Sequence, residues 1–98
     1  MSKFKSIINS EVPVLIDFYA DWCGPCRVLS PEVQKAAKLL GNTAKVLKIN
    51  VDKNPAVSQA YRIQSIPTLM IFKNGQLLWR KSGTMSAHQI SETVKKFI

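Results

Sequence analysis

The stretch Val14-Leu15-Ile16-Asp17-Phe18-Tyr19-Ala20-Asp21-Trp22-Cys23-Gly24-Pro25-Cys26 decides the fold, because it carries a strand, a turn and a helix start in succession. Val14 to Tyr19 is a nearly continuous apolar run with a single acid, the pattern of a strand buried on both faces. Pro25 suits the first turn of a helix, where its missing N–H has no intrahelical partner to lose. The two cysteines therefore sit where a strand ends and its helix begins, the usual place for ligand chemistry in open α/β sheets.

Outward from this junction, strands and helices alternate. The helix is expected to run to about Leu40, since Val33, Ala36, Ala37 and Leu40 fall at i, i+3, i+4 and i+7. Pro31 should kink it, and Gly41-Asn42 should end it. Val46 to Val51 reads as a second buried strand, parallel to the first with a right-handed crossover. Upstream, residues 2–10 fit a short helix with Phe4, Ile7 and Ile8 on one side.

Downstream, Asn54-Pro55 reads as the cap and first residue of a short helix through Tyr61. Thr68 to Phe72 is a third strand, and Asn74-Gly75 is a two-residue hairpin signal leading into Leu77-Leu78-Trp79. Ser86 with Gln89 forms a capping box, opening a helix whose inward stripe is Ile90, Val94, Phe97 and Ile98. The expected class is α/β: a mixed central sheet of about four strands with helices on both faces, in a single domain over residues 1–98.

Cys23 and Cys26 are the only cysteines. They cannot belong to a multi-bridge framework of the kind that staples small secreted domains. A structural zinc site needs four Cys or His ligands, and beyond the pair the chain offers only His88. Haem attachment needs His after the second Cys, and residue 27 is Arg. Two inert structural cysteines would be expected in an apolar setting and not around a Gly-Pro turn, so reversible redox chemistry leads, with no metal.

Lys and Arg number 14 against 6 Asp and Glu, a net charge of +8. The basic residues are spread from Lys3 to Lys96 with no interleaved aromatic platform, which argues against nucleic acid and for a solvated basic surface. No apolar run is long enough to span a bilayer. The N-terminal stretch, broken by Asn9, Ser10, Glu11 and Pro13, is a poor signal peptide. A cytoplasmic location is expected.

Asp17-Phe18-Tyr19-Ala20 leading into Trp22-Cys23-Gly24-Pro25-Cys26, then Lys48-Ile49-Asn50-Val51-Asp52, Ile66-Pro67-Thr68, Phe72-Lys73-Asn74-Gly75 and Gly83, resembles the thioredoxin family. The likeness extends from about Val14 to the last residue. Family members usually carry a further strand before the first helix. The few residues here are too short for it, so four strands are expected instead of five. Tyr19 stands where Trp is frequent, and Ser82 and Thr84 flank Gly83 where smaller or more apolar residues are common.

The physics of the site agrees with the resemblance. Thiol–disulfide exchange needs a thiolate attacker, and a helix N-terminus favours negative sulfur at Cys23. Cys26, one turn inside, is then the buried resolving thiol. The resemblance makes Asp17 a buried carboxylate that accepts the Cys26 proton, with its pKa raised by desolvation, and Lys48 a neighbour that opposes the shift. It also implies a cis-proline at Pro67, with the Ile66 backbone pairing with an extended substrate segment. Trp22, Gly24, Pro25, Ile66, Pro67 and Gly83 would form the docking surface, while Trp79 is ordinary packing.

The resemblance implies a cytoplasmic protein-disulfide reductase, monomeric, with no cofactor beyond the Cys23–Cys26 disulfide. Its partners would be disulfide-containing proteins and an NADPH-dependent flavoprotein reductase, with no nucleic acid and no membrane. A disulfide isomerase or oxidase would use the same fold with a less reducing pair. A non-catalytic binding subunit would need neither cysteine.

Overall fold

The apolar run becomes β1 (Val14–Tyr19), an interior strand of a four-stranded sheet in the computed structural model, which describes residues 1–98. The other strands are β2 (Lys45–Asn50), β3 (Thr68–Lys73) and β4 (Gln76–Ser82), in the order β2-β1-β3-β4. β1 pairs in parallel with β2 and antiparallel with β3, and β3 pairs antiparallel with β4. Helices α1 (Ser2–Ile8), α2 (Gly24–Leu40), α3 (Pro55–Ala60) and α4 (Ala87–Lys95) complete the chain.

Strand alternation sorts the core into two layers. Leu15, Leu69 and Ile71 face α2 and α4, meeting Leu29, Val33, Ile90 and Val94. Val14, Ile16, Phe18, Met70 and Phe72 face the other way, meeting Phe4, Ile8 and Val57 of α1 and α3. Period-two alternation in a two-sided sheet is what makes β1 and β3 read as continuous apolar runs. Phe4, Tyr61 and Phe72 form an aromatic trio with centroids 5.4–5.6 Å apart. Each such pair contributes about 0.5–1.5 kcal/mol beyond area burial, and together they fix α1 and the end of α3 to the sheet.

Several expectations are corrected. The second strand is not buried on both faces: β2 is an edge strand, and of its residues only Asn50 is buried. With no strand beyond it, its apolar side chains are covered only by the helices. Asn54 does not cap α3 with its side chain; its amide instead donates to the Asn50 carbonyl at 2.9 Å. α1 stops at Ile8, two residues early, where the Ile8 and Ser10 carbonyls accept from Gly75 and Asn74 of the hairpin turn. α4 ends at Lys95, which leaves Ile98 exposed although Phe97 still packs on the core.

α2 runs unbroken through Pro31, whose ring leaves the Arg27 carbonyl without its usual i→i−4 donor. Asn74 and Gly75 both have positive φ, 52° and 81°, as a type I′ hairpin turn requires.

Candidate active site

The site is built at the C-terminal end of β1. Cys23 is the N-cap of α2, with Gly24 and Pro25 as its first residues and Cys26 one position further. The Cys26 N–H points at the Cys23 sulfur, 3.2 Å away. A helix N-terminus leaves its first N–H groups without intrahelical acceptors, so the Cys23 sulfur takes the place of a capping oxygen. The same N–H and the helix dipole stabilise that sulfur as an anion.

The two cysteines are joined as a disulfide, with Cα atoms 5.3 Å apart, within the usual range for such bonds. Both are buried, at 4% and 3% exposure, so burial does not distinguish the sulfurs; their positions on the helix do. Around them pack Ala20, Tyr19, Val51 and Ile66.

Asp17 lies on the β1 face that α2 covers, the face shared with Leu15. It is fully buried, and neither carboxylate oxygen has a hydrogen-bond partner. Desolvation pushes its pKa from the ordinary 3.8 up to about 6, against a smaller downward pull from Lys48. Lys48 is the residue paired with Asp17 across the β1–β2 ladder. Its side chain is exposed, with Nζ donating to Ser30 Oγ at 2.6 Å and lying 4.6 Å from the Tyr19 ring centroid. A cleft of about 190 Å³ opens beside Cys26, walled by Tyr19, Arg27, Ser30 and Lys48. It is roomy enough to admit water to the back of the dithiol.

The Ile66–Pro67 bond is cis, and the Ile66 carbonyl oxygen lies 3.7 Å from the Cys23 sulfur. Gly83, at φ 99°, donates its N–H to the Pro67 carbonyl at 2.9 Å. Thr68 is buried, and its Oγ1 donates to Ser65 O at 2.7 Å. A hydroxyl has one proton, so Ser82 Oγ, 2.9 Å from Thr68 Oγ1, is the donor in that contact. These bonds tie the segment before β3 to the end of β4. Trp22 is 70% exposed, an unusual setting for a large apolar side chain, and its indole N–H donates to Asp52 at 2.8 Å.

The sequence-derived residues thus fall in one region: Cys23 and Cys26 at the helix start, Ile66 against the sulfur, and Pro67 joined to Gly83. Trp79 packs on the α2/α4 core as expected. Sequence reasoning assigns no role to Ser30 or Asp52. Their contacts, Ser30 to Lys48 and Asp52 to Trp22, span 18 and 30 residues and leave no local pattern to read. No three His, Cys, Asp or Glu side chains group as a metal site, and no helix is long and apolar enough to cross a membrane.

The family model described as Thioredoxin matches residues 1–96. Thioredoxin 1 of Nostoc sp. is 46% identical over 98 residues, covering 99% of this chain and 92% of its own length. Thioredoxin of Rickettsia felis is 43% identical over 94 residues, covering 96% and 90%. Among solved structures, chloroplastic thioredoxin z superposes with a TM-score of 0.85 at 35% identity, covering 98% of this chain and 87% of that one.

Proposed function

The chain belongs to the thioredoxin family, thiol-disulfide oxidoreductases that reduce protein disulfides, and we propose that in this member Cys23 attacks and Cys26 resolves. The observation that carries the assignment is the Cys26 N–H directed at the Cys23 sulfur at the α2 N-terminus. In the reduced protein the Cys23 thiolate attacks one sulfur of a substrate disulfide. A Cys23–substrate bond forms, the substrate S–S bond breaks, and the other substrate sulfur leaves as a thiolate. Cys26 then gives its proton to Asp17 and attacks Cys23. The Cys23–Cys26 disulfide closes and the second substrate thiolate departs. Two electrons pass to the substrate; one of the protons it takes up is the Cys26 proton, by way of Asp17, and the other comes from solvent.

Asp17 suits the acceptor role because a pKa near 6 keeps it ionised at neutral pH yet basic enough to take a proton. Lys48 holds that value below where burial alone would set it. Trp22, Gly24, Pro25, Ile66, Pro67 and Gly83 form the docking surface, with substrate laid beside Ile66 as an added strand. The chain acts as a single, monomeric domain over residues 1–98 in the cytoplasm. An NADPH-dependent flavoprotein reductase returns Cys23–Cys26 to the dithiol.

The thiolate absorbance of Cys26→Ser, followed against pH, isolates Cys23. Its pKa is expected below the free-cysteine value of about 8.5, because the helix N-terminus favours the anion. A value at or above that of free cysteine would remove the reason for assigning Cys23 as attacker.

A further inference from the structure

β2 is an open edge of the sheet, and its free side is chemically biased. Lys45 N donates to Pro13 O and Val51 N to Tyr19 O, so in the parallel ladder the odd-numbered residues of β2 bond to β1. The N–H and C=O groups of Val46 and Lys48 consequently point away from the sheet, where no strand lies. Asn50 O is already taken by Lys53 N and the Asn54 amide, which closes the ladder at that end.

A cleft of about 400 Å³ follows this edge between β2, α1 and α3. Phe4, Ile7, Ile49 and Val57 give it an apolar floor, Lys3 and Lys48 stand on its rim, and no carboxylate lines it. Lys45 is exposed at the start of the same strand. None of the three lysines is within ion-pair distance of a carboxylate, the ion pairs of the molecule being Lys35–Glu32 and Lys95–Glu92, although Lys48 also acts on Asp17 at longer range. Lysines on an edge normally deter strand pairing, but they do so only against neutral or basic strands.

We propose that the β2 edge is a docking site for an extended acidic segment of a partner protein, which adds as a fifth strand. Backbone bonds to Val46 and Lys48 would set its register. Alternate apolar side chains would fill the cleft beside Ile49, and the carboxylates between them would meet Lys48 on the other face, with Lys3 and Lys45 adding attraction at longer range. A second copy of the chain is disfavoured as occupant, since it would bring the same lysines and another net charge of +8 to the edge. The site borders the active-site cleft through Tyr19 and Lys48, which line both, but it requires neither cysteine.

The test uses fluorescein-labelled (Glu-Val)4 peptide, with (Lys-Val)4 as control, in anisotropy titrations with the full chain at low salt. Saturable binding of the acidic peptide alone is expected, weakening as salt is added. Amide exchange supplies the geometry: the Val46 and Lys48 amides should slow at least tenfold on binding, while Leu47 and Ile49 are protected throughout. Val46→Pro removes the outward N–H, a change that edge strands tolerate, together with part of the Val46 packing on the α2/α4 core, and should weaken binding at least tenfold with disulfide reduction unchanged. Lys45→Glu, an exposed substitution, should weaken it several-fold. Equal binding of both peptides, no binding, or binding without slowed exchange at residues 46 and 48 would each overturn the proposal. So would slowed exchange at these amides in a peptide-free dimer, which would make the occupant a second copy.

Discussion

Cys23→Ser is expected to abolish reduction of a protein disulfide, whereas Cys26→Ser is expected to accumulate a covalent adduct with the substrate. Serine at position 23 is among the best N-cap residues, and its hydroxyl can accept the Cys26 N–H as the sulfur does. The variant should therefore fold while lacking an attacker, so its loss reports chemistry. In Cys26→Ser the attacking sulfur keeps its helix N-terminus, but nothing resolves the mixed disulfide. Mass spectrometry after incubation with a disulfide substrate should find the sum of the two chains, released by reductant. An adduct in Cys23→Ser and none in Cys26→Ser would reverse the assignment.

Asp17→Ala is expected to stabilise the protein at pH 8 while slowing it. The folded carboxyl binds its proton up to about pH 6, whereas the unfolded one releases it near 3.8. Between these values the unfolded state ionises alone, so rising pH favours unfolding. Above both, a gap of roughly two pH units corresponds to a penalty of about 3 kcal/mol. Truncation leaves a small cavity costing about 1 kcal/mol, for a net gain of about 2 kcal/mol. The gain should shrink as pH falls through 6, vanish at about pH 4.5 and become a small loss near pH 4, where the cavity cost outweighs what remains of the penalty. Turnover should fall most where release of the Cys26 proton limits the rate, with the deficit narrowing towards pH 9 as solvent base takes over. Denaturant melts and reduction assays from pH 4 to 9 measure both effects. A variant less stable at pH 8 and fully active would mean that Asp17 is no buried proton carrier.

This opposition of stability and activity explains why one acid in an apolar strand could be read directly from sequence. An uncompensated carboxylate in a run such as Val14–Tyr19 is costly, and the structure leaves both its oxygens without partners. The dithiol was equally legible, because Pro25 and the end of β1 place Cys23 at a helix cap by local rules. Asn74-Gly75 fixed its hairpin through backbone φ alone.

What escaped the sequence depends on neighbours that no local pattern records. Val46–Val51 has the composition of an interior strand, but interior or edge is decided by whether another strand lies alongside. Lys48 within that run was the visible hint of an edge, since its charge must reach solvent. Asn54 lost its capping role to a competing acceptor, the Asn50 carbonyl. Ile98 kept the helical phase of Ile90 and Val94 but fell beyond the last turn. Ser30 and Asp52 acquire their roles only once α2 and the loop after β2 are folded against Lys48 and Trp22.

The reduction potential of the Cys23–Cys26 couple tests the reductase account most directly. Protein equilibrated in graded mixtures of reduced and oxidised dithiothreitol, alkylated and weighed, gives the fraction of dithiol at each potential. The account predicts one reversible two-electron transition, about 30 mV per decade, centred near the −270 mV or so of thioredoxin. A midpoint at or above about −180 mV, the range of protein disulfide isomerase, or a pair that does not interconvert, would contradict it.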